Sequence, residues 1–233
     1  MIFPHHENEI AQSEAWQGGL FARYFLHNGF VTINKEKMSK SLGNFFALKD
    51  IFLKFTPRSV RYYILSEHYR SPLDFSDEAL REAGRALDRI DEAGNLLVFF
   101  LKGESLQALN IEARGGPLSR KVFECLSQDF HTPSALAGLQ TWAASVFETF
   151  KSRSLIPERA KEDLADTAFA METRLGIPFR QARAYPREAW ALVEQREASR
   201  GAKNFAQADQ LRRRLQEEFG LAVEDTPYGP KPK

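Results

Sequence analysis

The pattern of apolar and polar positions changes character near residue 47. From there on, apolar residues recur at three- and four-residue steps, as in helices that bury one face. Residues 47–55 and 58–69 read as short amphipathic helices, the second headed by Thr56-Pro57 with Thr56 placed to cap it. Residues 77–101 predict a long helix with Leu80, Ala83, Leu87, Ile90, Ala93 and Leu97 on one side. Segments 117–129, 133–151 and 157–175 repeat the pattern, each with a proline in or beside its first turn. A linker at 176–186, holding Pro178 and Pro186, precedes two further helices at 187–201 and 204–218. Leu221-Ala222-Val223 then leads into a Pro/Gly/Lys tail from Thr226 that is expected to fray.

Ahead of residue 47 the pattern is mixed. Residues 4–16 predict a helix, with Pro4 in its first turn, Glu7 and Glu9 in the positive end of its dipole, and Gly18-Gly19 to stop it. Two apolar runs, 21–26 and 30–33, flank His27-Asn28-Gly29 and predict a strand, a turn and a second strand. The polar segment 34–44, rich in lysine and serine, reads as a loop.

Composition narrows the possibilities. The chain has 233 residues, 43% hydrophobic and 27% charged, which is enough apolar material for a packed core and argues against wholesale disorder. No apolar run is long enough to span a bilayer, and the first residues lack the basic and apolar regions of a secretory signal. The single cysteine, Cys125, cannot form an internal disulfide; it fits a reducing, cytoplasmic setting and reads as a core residue. A net charge of +1 confines any polyanion binding to a local patch.

Two short motifs carry chemistry. In His5-His6-Glu7-Asn8-Glu9 a helix would bring His5 and Glu9 to one face, an imidazole and a carboxylate that suit zinc; two donors do not complete a site, and on the residues alone a merely polar first turn is the better account. Lys37-Met38-Ser39-Lys40-Ser41, followed by Leu42-Gly43-Asn44, places ammonium groups and hydroxyls in a loop after a strand. Such a loop can close over a triphosphate and neutralise the departing pyrophosphate, or it can be a solvated basic turn. No glycine-rich cradle precedes the lysine, so it is not a Walker loop.

Taken together, these residues resemble the cysteinyl-tRNA synthetases, a family of class I aminoacyl-tRNA synthetases. Phe3 to Glu14 looks like the family's zinc-side signature, and Lys37 to Ser41 like the KMSKS loop, with Leu42-Gly43-Asn44-Phe45 as its family-specific extension. The likeness continues through Arg61-Tyr62-Tyr63, His68-Tyr69-Arg70-Ser71-Pro72-Leu73-Asp74-Phe75, Asp129-Phe130-His131-Thr132-Pro133, Asn204 to Asp209 and Glu224-Asp225-Thr226-Pro227. The HIGH signature and the family's two cysteine zinc ligands do not occur, and Tyr228-Gly229-Pro230-Lys231 replaces the usual ending.

The resemblance implies a mainly α fold. An incomplete remnant of a class I Rossmann-type catalytic domain (1–56) would be followed by a connecting region that contacts the tRNA stem (57–115). A helical bundle on the anticodon side (116–176) and a small anticodon-binding domain (186–233) would complete it. It implies a cysteine–tRNA ligase using ATP with Mg, cysteine and cysteine tRNA, with no membrane, present here as a C-terminal portion inactive alone. His5 and Glu9 would be two of the zinc ligands, Lys40 would contact ATP, Lys37 would assist with the phosphates, and Arg212, Arg213 and Arg214 would contact tRNA. The alternative is a non-catalytic tRNA-binding module, with Arg187, Arg196, Arg200 and Lys203 joining that arginine run. A paralogous ligase that joins cysteine to a sugar amine fits less well, since that group lacks a full anticodon domain.

Overall fold

The computed structural model describes residues 2–33, 35–39, 46–102, 116–180, 185–227 and 229–232. The chain is mainly α, as the periodicity requires. Helix α1 is Glu7–Gln17, preceded by a wider turn at Ile2–His6. Strands β1 (Val31–Ile33) and β2 (Glu36–Lys37) follow, then α2 (Leu48–Ile51), α3 (Pro57–Leu65) and β3 (Leu73–Asp74). The bundle consists of α4 (Asp77–Phe100), α5 (Pro117–Ser127), α6 (Thr132–Lys151) and α7 (Pro157–Phe169), the last continuing as a wider-wound segment, Ala170–Leu175. Helices α8 (Arg187–Gly201) and α9 (Phe205–Phe219) lead to β4 (Val223–Thr226) and β5 (Gly229–Pro232).

Local chemistry explains the helix starts. The Thr56 hydroxyl accepts from the Ser59 amide with Pro57 in the first turn, and Ser76 accepts from the Ala79 amide at the head of α4. Asn204 caps α9 through the Gln207 amide, so one position of the 204–209 motif is spent on folding. For α5 no neighbouring residue serves. The Asp166 carboxylate on α7 instead accepts from the amides of Gly116, Leu118 and Ser119 at 2.9, 2.8 and 3.1 Å.

All six apolar positions singled out on α4 are buried, and Leu80, Ile90 and Ala93 are sealed from solvent. They form one core with Val122 of α5, Leu139 of α6, Leu164 of α7 and Met171. The first residues of the expected linker belong to this core: Ile177 and Phe179 are buried in it. A second apolar core joins Phe99 at the end of α4 to Trp190, Val193, Leu211, Leu215, Leu221 and Val223. The Phe99 and Trp190 rings meet edge to face at 4.9 Å. The tail does not fray. It forms a hairpin with Thr226 opposite Gly229 and Val223 opposite Pro232, and Lys231 ties it to Glu92 of α4 at 3.0 Å. Burial of Val223 holds the hairpin against the second core, an effect that the polar composition of the tail concealed.

The first fifty residues depart most from expectation. Residues 21–26 form no strand, and β1 pairs instead with β2 (Thr32 opposite Lys37) and with β3 in parallel, giving the order β2-β1-β3. Part of the expected loop is therefore strand. The Asn28-Gly29 pair is not a hairpin turn; the Gly29 amide donates to the Tyr69 carbonyl at 2.7 Å, and a Cβ there would lie 2.1 Å from the Ser71 carbonyl oxygen. Glycine is needed for close backbone approach rather than for positive φ. Phe3, Trp16 and Tyr24 are each 80% or more exposed, so this region carries a large uncovered apolar surface. Among the described residues, no helix is long and apolar enough to cross a membrane.

Candidate functional site

The β1–β2 hairpin leads directly into the Lys37–Ser41 motif. Lys35 at its tip has a left-handed backbone, φ 66°, and its amide donates to Asp74 Oδ1 at 2.9 Å. The Thr32 hydroxyl donates to the same oxygen at 2.7 Å. The Lys35 amide, then the Thr32 hydroxyl, hold the Asp74 carboxyl below the usual carboxylate range, so it stays charged and keeps the hairpin in register. Lys37 is exposed, with its ammonium 4.5 Å from the centre of the Phe30 ring. An ammonium on an anchored strand, over an apolar platform, can serve an anionic ligand. Lys40, the second lysine of the motif, lies outside the described residues.

His5 and Glu9 are both exposed, and His5 precedes α1 proper, so one regular helix does not carry the pair. Among the described residues no group of three or more His, Cys, Asp or Glu side chains is placed to hold a metal. These two donors do not by themselves fit zinc, which needs at least three ligands from protein. The neighbouring His6 stacks on His27, with ring centroids 5.1 Å apart and Nδ1 buried without a hydrogen-bond partner.

The basic residues of the last helices divide sharply. Arg212 and Arg213 of α9 are exposed; Arg214 is exposed too but paired with Glu218 one turn on, at 2.8 Å. The pairing holds the Glu218 carboxyl below its ordinary value. Arg187 and Lys203 are exposed. Arg196 is not available to RNA at all: it is 1% exposed and ion-paired with Glu197 and Asp225. Arg200 binds the other oxygen of Asp225 at 3.0 Å. The helical spacing of Arg196 from Leu192 and Val193 puts it on the buried face, so a residue expected to touch phosphate instead joins α8 to β4.

Two further motifs, sixty residues apart, meet in space. The Tyr69 hydroxyl donates to Asp129 Oδ1 at 2.7 Å, and Arg70 Nε donates to Oδ2 at 2.8 Å. His68 Nε2 donates to the Asp129 carbonyl at 2.8 Å. The hydrogen bond from Tyr69, then that from Arg70, hold the Asp129 carboxyl below its ordinary range, and the bond to Asp129 raises the Tyr69 phenol. Sequence reasoning found both segments as matched motifs without a role for either. Their concentration of charged and aromatic side chains was the only available signal. Cys125, beside them on α5, is partly buried against the main core.

Comparison with known proteins gives these sites a setting. A family model described as the class I (C) tRNA synthetase catalytic domain matches residues 1–85. A cysteine–tRNA ligase of Moorella thermoacetica is 38% identical over 99% of this chain and 52% of its own length. One of Carboxydothermus hydrogenoformans is 40% identical over 98% of this chain and 50% of its own. The LeuRS of Agrobacterium radiobacter K84, solved as a ternary complex with tRNA and LeuAMS, superposes with a TM-score of 0.51. At 19% identity, over 63% of this chain and 20% of that one, it speaks for the fold alone. The chain spans about half the length of the curated relatives it matches. Along nearly its whole length the chain is therefore similar to the cysteine–tRNA ligases, and its first 85 residues match the class I (C) tRNA synthetase catalytic domain.

Proposed function

We propose that this chain supplies the phosphate-loop side of the catalytic domain and the tRNA-binding helices of a cysteine–tRNA ligase, and that alone it does not adenylate cysteine. The similarity of 98–99% of the chain to proteins named cysteine–tRNA ligase carries this reading. In it, residues 1–56 are the catalytic part, 57–115 the connecting region, 116–176 the bundle and 186–233 the anticodon-side unit. Lys37 neutralises charge that develops as pyrophosphate leaves ATP-Mg, and Lys40 contacts the nucleotide. The anchored hairpin around Asp74 supports this role, because it fixes the strand that carries Lys37. Because His5 and Glu9 do not fit zinc unaided, no step is assigned to a metal held by this chain.

The exposed Arg212 and Arg213 favour a contact with cysteine tRNA, and they are equally what the second reading, a non-catalytic tRNA-binding module, requires. One measurement tests the inactivity of the chain alone and a second separates the readings. Cysteine-dependent ATP–pyrophosphate exchange by the 233-residue chain should not exceed that of its Lys40→Ala variant, and activity above that control overturns the first proposal. Adding a polypeptide with the remaining half of a relative's sequence should restore exchange, lost again in Lys40→Ala; failure to restore it favours the non-catalytic module.

A further inference from the structure

A cavity of about 750 Å3 opens between α3, α5 and the end of α7, lined by Arg61, Arg174, Phe123, Asp129, Phe130 and Thr132 among others. Neither arginine meets a carboxylate among the described residues, and each is held by contacts that leave part of its donor edge unspent. Arg61 donates from Nε to the Leu175 carbonyl at 2.6 Å. Its guanidinium lies against Gly176, where φ is +63° and a Cβ would come within 2.5 Å of a terminal nitrogen. Arg174 lies over two rings, its guanidinium carbon 5.0 Å from the Phe123 ring centre and 5.5 Å from that of Phe169. Planar guanidinium groups fixed in this way are prepared for a phosphate. Among the described residues that line it, the one acid, Asp129, has both oxygens occupied by Tyr69 and Arg70 and is thus already paired.

The rim also displays an aromatic ring at a conformational cost. Phe130 is 52% exposed with φ 53°, and Asp129 before it has φ 51°. Consecutive left-handed residues without glycine, one of them bulky, persist only where their surroundings dictate them. Here His68 binds the Asp129 carbonyl, Tyr69 and Arg70 bind its carboxylate, and Tyr69 meets the Phe130 ring edge to face at 6.3 Å. The result is a half-exposed aromatic ring lining the same cavity as the two arginines.

Guanidinium for phosphate and an open ring for a base are the two elements by which proteins take an unstacked nucleotide. We propose that this cavity is a nucleotide subsite for RNA, with a phosphate on Arg61 and Arg174 and the adjoining base stacked on Phe130. The proposal rests on the tRNA-binding reading above and extends it to a face far in sequence from the Arg212–Arg214 run. A phosphorylated peptide would use the arginines but leave the ring without a purpose.

The test is fluorescence anisotropy of labelled cysteine tRNA with the full chain across a salt series. Arg174→Gln should weaken binding about tenfold and make the salt dependence shallower by about one unit of slope. Arg174→Lys, which keeps the charge but not the planar fork, should fall between. Phe130→Asn tolerates the left-handed backbone while removing the ring; it should weaken binding about tenfold with the salt slope unchanged. Thermal melts confirm that each variant is folded. If the chain binds tRNA and all three variants bind as it does, the subsite is refuted while the tRNA reading stands. If the unaltered chain shows no salt-dependent tRNA binding, both fall. A phosphoserine peptide that competes as well as RNA of equal charge also overturns the assignment.

Discussion

Arg196 on α8 and Asp225 on β4 form an ion pair with the guanidinium sealed from solvent and the carboxylate 29% exposed. The pair joins the helix to the hairpin that closes the second core, and Arg200 completes the carboxylate's partners. Removing the acid would leave a buried cation with only Glu197 to answer it. Asp225→Ala should therefore destabilise the chain by about 2–3 kcal/mol, below the value for a fully dry pair because Asp225 is partly solvated. Arg196→Met, which fills the space without charge, should cost less. Urea unfolding followed by tryptophan fluorescence, to which Trp190 in the same core contributes, reads both; equal stability of Asp225→Ala and the unaltered chain would refute the structural role.

Asp166 is buried and accepts from three amides at the start of α5 across the bundle. Asp166→Ala strips that cap and leaves buried donors unmet, so a loss of about 2–3 kcal/mol is expected. Asp166→Asn keeps an acceptor oxygen and should recover part of it. The comparison of denaturant midpoints decides, since a general packing defect would affect both variants alike.

Gly29→Ala should destabilise the small sheet, because the new Cβ meets the Ser71 carbonyl carbon and oxygen, backbone atoms that cannot swing aside. Overpacking of this kind costs about 1–3 kcal/mol. Hydrogen exchange at the Gly29 amide, bonded to Tyr69, and at the Leu73 amide, bonded to Phe30, should accelerate while the bundle amides keep their protection.

Burial, and after it the charges of Asp74 and Glu67, push the Tyr63 phenol up to about 12. A pKa raised in the folded state favours the protonated form. Its stabilising contribution is whole below the unfolded value near pH 10 and is lost as pH rises towards 12. Tyr63→Phe loses the hydroxyl's bond to the Asp74 carbonyl and lowers stability at neutral pH. Its melting temperature should then fall less steeply than the parent's above about pH 10; parallel curves would contradict this.

Much of the helical architecture is legible in the sequence. The α4 stripe from Leu80 to Leu97, the capping Thr56 and the bounds of α8 follow from side-chain spacing and local backbone chemistry, which act within a turn or two of the chain. The family was legible for a related reason, since ordered motifs such as Phe3 to Glu14 and Lys37 to Ser41 survive in linear form.

Pairings between distant segments were not legible. The sequence by itself determined the helices, the motifs and the list of charged candidates. Only the tertiary structure decided that β1 pairs with β2 and β3, that Asp166 caps a helix fifty residues upstream, and that Arg196 faces inward to Asp225. It also brought Arg61 and Arg174 to one cavity and fixed Phe130 at its rim. Local periodicity reports which face of an element is apolar, whereas partners depend on how those faces dock. Docking is set by the summed burial and hydrogen bonding of the whole core, which no short window of sequence contains.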